Sequence, residues 1–212
     1  MALVALVHAT PAPMAPAADA FATAMPDARL WNVLDDTLIT DAEQAGSLTP
    51  ELRDRMRTLI GYAVDSGADA VLLTCSIYGP VTAELDHPVP VLPPDRALFE
   101  EVARLAPARV LVLGPAEAGA RDTADRLRAH LGAGAVVEGV AVAGVRDALA
   151  AGDVAHAAEL VVSTVRAHDT DVVVLGQFSL APVAEAVAAA LDVPVLSAPQ
   201  LAARAIRAAL GG

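Results

Sequence analysis

The chain contains an internal repeat, and this repeat constrains the fold more than any other feature. Residues 69–81 read DAVLLTCSIYGPV, and residues 171–183, which lie 102 positions further on, read DVVVLGQFSLAPV. Two further pairs of predicted strands match in the same order, 4–8 with 110–114 and 89–92 with 193–196. Three ordered matches indicate a duplicated unit of about 100 residues.

Within each copy, short runs rich in Val and Leu alternate with longer, Ala-rich stretches that carry scattered charge. Four runs are apolar on both faces, which is typical of parallel strands covered by helices on both sides; they span 2–7, 70–73, 109–113 and 172–175. The Ala-rich stretches predict helices over 49–66, 97–106, 118–131, 153–168 and 182–191. Thr49 and Pro50 supply the N-cap and first position of the earliest of these helices.

This alternation predicts an α/β fold with two pseudo-symmetric, doubly wound domains and mainly parallel sheets. The first domain is predicted over 1–95 plus 197–212, and the second over 96–196. Ligands of open parallel sheets bind beyond the carboxyl ends of the strands. The active site is therefore expected between the domains, lined by the segments 8–12, 74–80, 114–119 and 176–182.

The only cysteine, Cys75, lies just past a predicted buried strand. Residues 76–80 lead into what should be a helix with Pro80 in its first turn. The free amides and the positive dipole end of such a helix favour the thiolate, which is the nucleophilic and basic form. The alternative is a buried, inert cysteine. We favour the reactive interpretation because Cys75 follows the strand and does not lie within it.

Hydroxyl and amide side chains follow the predicted strands and are candidates for binding a carboxylate or a developing oxyanion: Thr10, Thr74, Ser76, Gln177 and Ser179. For any one of them, ordinary turn chemistry is the alternative. His8 ends the first strand and is a candidate acid, base or carboxylate partner, although lone histidines are more often structural. Asp35 and Asp36 lie in a predicted long connection, 31–46, where a solvated turn is favoured over a carboxylate pair.

The formal net charge of −12 argues against a nucleic-acid partner or an anionic membrane surface, since both require a basic face. No apolar segment approaches the ~20 residues of a membrane span, and the first eight residues lack the basic region of an export signal. A soluble cytoplasmic protein is therefore expected. A single cysteine excludes an intrachain disulfide and a cysteine-rich zinc site, and no nucleotide-binding glycine motif is present, so neither a metal nor a cofactor is expected.

Four of these features resemble the aspartate/glutamate racemase superfamily, which includes hydantoin racemases, maleate isomerases and arylmalonate decarboxylases. They are residues 7–11 (VHATP), residues 73–76 (LTCS), the 102-residue repeat and the paired Val-Pro-Val-Leu segments. The resemblance implies two pseudo-symmetric α/β domains, a homo-oligomer, and cofactor-independent chemistry at a carbon next to a carboxylate. In the family's racemases, one cysteine from each half moves a proton on opposite faces of that carbon.

The sequence departs from this pattern at Gln177, which stands where the second cysteine would be. An amide cannot shuttle protons, so two-base racemisation is not available. Arylmalonate decarboxylases also use one cysteine, though from their second half, which makes the arrangement here a mirror of theirs.

Two functions remain open from the sequence. The first is an enzyme of the isomerase/racemase type, or a decarboxylase, that acts on a small carboxylic acid through Cys75. Its three options are decarboxylation with one-face protonation, isomerisation or addition through a cysteine adduct, and one-base racemisation. Gln177 and Ser179 would then bind the substrate or orient water, and Phe178 would form an apolar wall. The second is a non-catalytic protein that binds a small carboxylate; retention of the Thr-Cys-Ser segment argues against it.

Overall fold

The computed structural model describes residues 1–211, which divide into two compact units. The first unit comprises Met1–Arg96 together with the chain from Pro199 onward, and the second comprises Ala97–Ala198. Within the described residues, no helix is long and apolar enough to cross a membrane.

In chain order, the first part of the structure consists of β1 (Leu3–His8), α1 (Met14–Ala24), β2 (Arg29–Leu34), α2 (Leu38–Ala45), α3 (Pro50–Asp65), β3 (Ala70–Leu73), a 3₁₀ helix (Ser76–Glu84), β4 (Val91–Leu92) and α4 (Arg96–Leu105). The remainder consists of β5 (Arg109–Gly114), α5 (Glu117–Leu131), a short 3₁₀ helix (Gly132–Gly134), β6 (Val136–Ala141), α6 (Val145–Ala150), α7 (Val154–Arg166), β7 (Val172–Leu175), a 3₁₀ helix (Phe178–Val183), α8 (Ala184–Ala189), β8 (Val195–Ser197) and α9 (Ala198–Ala209).

Each unit is built on a four-stranded parallel sheet, with strand orders β2-β1-β3-β4 and β6-β5-β7-β8. The central strands β3 and β7 are buried along their whole length, as expected for a sheet that has helices on both faces. The predicted α/β fold class with mainly parallel sheets is confirmed.

The repeat is visible in the backbone hydrogen bonds of the two units. The Thr74 amide donates to the Val7 carbonyl at 3.1 Å, and the Gly176 amide donates to the Leu113 carbonyl at 2.8 Å. Likewise, the carboxylate that precedes β3 accepts from the first amide of β1, and the carboxylate that precedes β7 accepts from the first amide of β5; the pairs are Asp69 with Leu3 (2.7 Å) and Asp171 with Arg109 (2.8 Å). The 102-residue repeat therefore corresponds to a repeated pattern of strand pairing.

Sequence reasoning missed the edge strands β2 and β6, and also α1, α2, α6 and α9. The predicted connection over 31–46 was wrong, because it contains the end of β2 and all of α2. β2 pairs on one side only and alternates irregularly between exposed and buried positions, so it lacks the continuous apolar run of a central strand.

The helix predicted over 182–191 begins as a 3₁₀ helix before it continues as α8. The segment after Cys75 is also a 3₁₀ helix, and it contains Pro80 in its interior and not in the first turn of an α-helix. Proline cannot donate a backbone hydrogen bond and clashes with the carbonyl four residues earlier, which disfavours the α-helical continuation.

Arg55 and Tyr78 attach α2 and its preceding turn to the first unit. Arg55 donates to Asp35 and to Asp41, each at 2.5 Å. Burial alone would raise the pKa of Asp35, but hydrogen bonds from Arg55 and Thr37 hold that pKa below its ordinary value. Asp35 and Asp36 thus lie in a turn, as expected from the sequence, but the Asp35 carboxylate is half-buried in an ion pair while Asp36 is exposed.

We predict that Tyr78→Phe lowers the free energy of unfolding by about 1–2 kcal/mol, because it removes a buried side-chain hydrogen bond. The Tyr78 hydroxyl is fully buried and donates to the Leu38 carbonyl at 2.8 Å. The matched control is Tyr62→Phe, since Tyr62 is 58% exposed. Urea denaturation of both variants checks the prediction; equal losses at the two positions would contradict it.

Candidate active site

The carboxyl edge of the first sheet brings His8, Asn32 and Thr74 side by side. His8 is the last residue of β1, Asn32 lies in β2, and Thr74 directly follows β3. Asn32 is opposite Leu6 in the register, and Thr74 comes one position after the pair formed by Val7 and Leu73. Because side chains alternate along strands, the three polar side chains lie on one face of the sheet.

Hydrogen bonds join these three side chains in a row. The His8 Nε2 atom lies 2.9 Å from Asn32 Oδ1, and His8 Nδ1 lies 2.7 Å from Thr74 Oγ1. An amide oxygen only accepts, so Nε2 carries the proton and donates it to Asn32. Nδ1 is then the acceptor for the Thr74 hydroxyl.

His8 is a neutral histidine in this arrangement. Its side chain has no exposed surface, and burial lowers its pKa, although the hydrogen bond to Asn32 acts in the opposite direction. Both ring nitrogens are already engaged with neighbouring side chains. The sequence singled out His8 as a candidate acid or base, and the structure places it under the surface with Thr74.

Cys75 continues the extended backbone of β3 by one residue, with φ −110° and ψ 115°, and it is the N-cap of the 3₁₀ helix Ser76–Glu84. Strand alternation therefore directs Cys75 to the face opposite Thr74. There it packs, partly exposed, against the apolar cluster that includes Val7, Leu73 and Tyr78. The Tyr78 amide donates to the Cys75 carbonyl at 3.2 Å.

Tyr78 is close to Cys75 but is not a second acid or base at neutral pH. Burial, and then the charge of nearby Cys75, raise the pKa of Tyr78 to about 12. Its hydroxyl remains protonated and continues to donate to the Leu38 carbonyl.

The other predicted site residues fall at the carboxyl edges of the two sheets. Thr10 is half-buried in the bend after β1, and Ser76 is 9% exposed at the start of its 3₁₀ helix. In the second unit, Gln177 and Ser179 are half-buried, while Phe178 is only 2% exposed. The substrate-binding roles of these residues stay predictions.

The second unit carries three glycines at the register positions that hold the polar row in the first. Gly114 corresponds to His8, Gly139 to Asn32 and Gly176 to Thr74, as the strand pairings show. A Cβ atom on Gly139 would lie 2.6 Å from the backbone carbonyl oxygen of Ala120 in α5, and one on Gly114 would lie 3.0 Å from the Ala120 amide nitrogen. Helix α5 thus packs directly against this layer of the second sheet.

Gln177 lies over a glycine of the predicted lining segment 114–119, a contact that the sequence did not indicate. A Cβ atom on Gly119, in the first turn of α5, would lie 2.0 Å from Gln177 Nε2. Asn32 was also missed, because it lies in the unpredicted strand β2. Asn32 could have been identified as a site residue only from the pairing register of β2 with β1.

Away from these loops, a shallow cavity of about 450 Å³ opens at the amino-terminal edge of the first sheet. Arg207 and Asp27 are the charged side chains among its otherwise largely apolar lining residues. Among the described residues, no group of three or more His, Cys, Asp or Glu side chains could hold a metal ion.

The fold is that of the aspartate/glutamate racemase superfamily, which confirms the resemblance found in the sequence. The structure matches aspartate racemase from Picrophilus torridus with a TM-score of 0.74 and 13% identity, over 100% of this chain and 95% of that one. It matches glutamate racemase from Francisella tularensis subsp. tularensis, in complex with D-glutamate, with a TM-score of 0.74 and 14% identity, over 99% and 81% of the two chains.

A glycine-to-cysteine variant of arylmalonate decarboxylase, in a sulfate-associated form, matches with a TM-score of 0.68 and 22% identity, over 99% of this chain and 94% of that one. No curated protein sequence matches the chain. The chain belongs to the AroM protein family, whose family model matches residues 18–210.

We predict that Gly119→Ala displaces the Gln177 amide and changes stability by no more than about 1 kcal/mol, because the obstructed atom ends a flexible side chain. The control is Gly61→Ala in α3, where a Cβ atom would meet nothing within 4 Å. The side-chain amide resonances of Gln177, followed by ¹H–¹⁵N NMR, should shift in the first variant only. Unchanged resonances in Gly119→Ala would contradict the described contact.

We also predict that His8 contributes to acid destabilisation. Its folded pKa lies below the ordinary 6.5, so below about pH 6.5 the unfolded chain binds more protons and the free energy of unfolding falls as the pH falls. His8→Gln should therefore lose less stability than the wild type between pH 7.5 and 5. Urea denaturation across pH measures this, and parallel curves for His8→Gln and the wild type would contradict it.

Proposed function

We propose that the protein is a cofactor-independent enzyme that moves a proton at the carbon next to the carboxylate of a small organic acid, through Cys75 alone. The observation that carries this proposal is the position of Cys75. It is the one thiol of the chain, partly exposed, at the carboxyl edge of a racemase-type sheet and at the start of a 3₁₀ helix. Ligands of parallel sheets bind at that edge.

Similar structures support the substrate class. One of them is a glutamate racemase in complex with D-glutamate, and another is an arylmalonate decarboxylase. Both names describe acids whose reacting carbon bears a carboxylate. A single thiol suits two reactions on such a compound: decarboxylation followed by protonation on one face, or removal and return of a proton by one base.

Decarboxylation makes the fewest demands on the residues present. A malonate-type acid would lose CO₂, and the electron pair left behind would form an enediolate. The Cys75 thiol would then donate its proton to the former malonate carbon, and water would reprotonate the resulting thiolate. The hydroxyls of Thr10 and Ser76, together with backbone amides after Cys75, would stabilise the enediolate charge.

Incubation of the protein with malonates, α-amino acids and α-hydroxy acids in D₂O tests this proposal. Release of CO₂ with deuterium on one face identifies a decarboxylase, and deuterium exchange with the carbon skeleton intact identifies a racemase or isomerase. If no small carboxylate reacts or exchanges, the enzyme proposal fails and a carboxylate-binding protein becomes the better interpretation.

We predict that Cys75→Ser lowers the rate of the reaction found in that screen by a factor of about 10²–10⁴, the usual contribution of a positioned acid or base. Ser163→Ala, at an exposed serine of α7, is the matched surface control and should leave the rate unchanged. Steady-state kinetics of both variants measure the effect. Full activity in Cys75→Ser would remove Cys75 from the mechanism.

A substrate-independent measurement addresses the thiol itself. Cys75 is the only thiol, so uptake of iodoacetamide reports on one atom. We expect the folded protein at pH 7 to be alkylated about tenfold faster than the chain unfolded in urea, as for an activated cysteine. Slower alkylation of the folded protein would indicate an inert structural cysteine.

A further inference from the structure

The polar row of Asn32, His8 and Thr74 is not required by the architecture. The second unit forms the same four-stranded parallel sheet, with the corresponding strand order, and has glycine at the three positions that correspond to this row. Burying His8 and Thr74 removes polar groups from water and is tolerable only if their hydrogen bonds are made. A fold that can be completed without these groups, and yet contains them beside Cys75, points to a role in the chemistry of Cys75.

We propose that Asn32, His8 and Thr74 are positioning residues that hold the Thr74–Cys75 peptide and thereby the direction of the Cys75 thiol. This inference rests on the proposed function of Cys75. It assigns none of the three residues to contact with the substrate.

Both hydrogen bonds of the row are donated in the same direction, from Thr74 to His8 and from His8 to Asn32. The oxygen of Asn32 fixes the proton of His8 on Nε2, and Nδ1 then accepts the hydroxyl proton of Thr74. The competing acceptor for that hydroxyl is the Val7 carbonyl, which lies 3.3 Å away and already accepts from the Thr74 amide at 3.1 Å. The shorter 2.7 Å contact to His8 therefore determines the Thr74 rotamer.

Thr74 is then held by both its side chain and its backbone amide, one residue before the thiol. On the other side of the thiol, the Cys75 carbonyl accepts from the Tyr78 amide, and the Tyr78 side chain is itself anchored to Leu38. The backbone of Cys75 is restrained from both directions. At the corresponding Gly176–Gln177 step of the second unit, there is no side chain on Gly176 to provide the first of these restraints.

This geometry also defines what His8 does. Both ring nitrogens have partners, and the ring has no exposed surface, so His8 acts on the site through Thr74. Asn32 in turn acts through His8, by fixing which nitrogen carries the proton. The row ends at the Thr74 hydroxyl, and strand alternation puts Cys75 on the opposite face of the sheet.

The test compares Thr74→Val, which keeps the shape of the side chain but removes the hydroxyl, with Thr74→Ser, which keeps the hydroxyl. We expect the alkylation rate of Cys75 by iodoacetamide to fall about tenfold in Thr74→Val and to stay within about twofold of wild type in Thr74→Ser. The matched control is Thr123→Val, at a fully buried threonine of α5 in the second unit, which should leave the rate unchanged. Circular dichroism and urea denaturation establish that each variant is folded at the labelling temperature.

A second measurement uses the wild-type protein and does not depend on the folding of a variant. The ¹⁵N chemical shifts of the His8 ring at pH 7 should show a protonated Nε2 and an unprotonated Nδ1. A proton on Nδ1 would reverse the direction of the row and overturn the proposal.

The results separate this inference from the proposed function. A wild-type thiol that reacts quickly, with equal rates in Thr74→Val and wild type, overturns the positioning role alone. Equal losses in Thr74→Ser and Thr74→Val overturn it as well, because the hydroxyl would not be the group that matters. A wild-type thiol no faster than that of the unfolded chain overturns the proposed function and, with it, the role inferred for the row.

Discussion

The parallel pairing of β1 between β2 and β3 is the constraint on which the rest of the first unit depends. Parallel strands end at the same edge, so the register alone brings the last residue of β1 beside a side chain from each neighbour. His8 is therefore placed between Asn32 and Thr74 without any loop having to fold over it. The same pairing continues into the extended backbone of Cys75, which the next residues convert into a 3₁₀ helix. Strand geometry thus fixes the position of Cys75, of the Thr74–Cys75 peptide and of the polar row on the opposite face of the sheet.

The two units show how one fold supports different local chemistry. Their strand orders and key backbone hydrogen bonds correspond, yet the three polar register positions of the first unit are glycines in the second. Without side chains there, α5 approaches the sheet closely enough that a Cβ on Gly139 would meet the Ala120 carbonyl at 2.6 Å. Glycines at these positions therefore leave room for the close approach of α5 to the second sheet. Gln177 follows the same division, because its amide lies against Gly119 in the first turn of α5.

The central strands could be predicted from the sequence, and so could the edge strands β4 and β8 through the repeated Val-Pro-Val-Leu segments, whereas the edge strands β2 and β6 could not. β3 and β7 were predicted with their observed bounds because they are buried on both faces and read as uninterrupted apolar runs. β2 has one neighbouring strand and a partly exposed surface, so the sequence pattern did not predict it as a strand. Asn32 was therefore not among the predicted site residues. After Cys75, a helix was expected with Pro80 in its first turn, but the observed 3₁₀ helix already begins at Ser76 and Pro80 lies in its interior.

By itself, the sequence determined the repeat, the α/β class and the resemblance to the racemase superfamily, and it singled out Cys75 as the candidate reactive residue, since each of these depends on residue types and spacing along the chain. Tertiary structure alone decided how the polar residues combine. Hydrogen bonds between His8, Asn32 and Thr74 join positions 24 and 66 residues apart, and the register that aligns them is a property of strand pairing. The contact between Gly119 and Gln177 depends in the same way on how closely a helix packs on its sheet. The sequence therefore identifies Cys75 as a candidate, whereas the groups that we propose restrain it are recognisable only once the strands are paired.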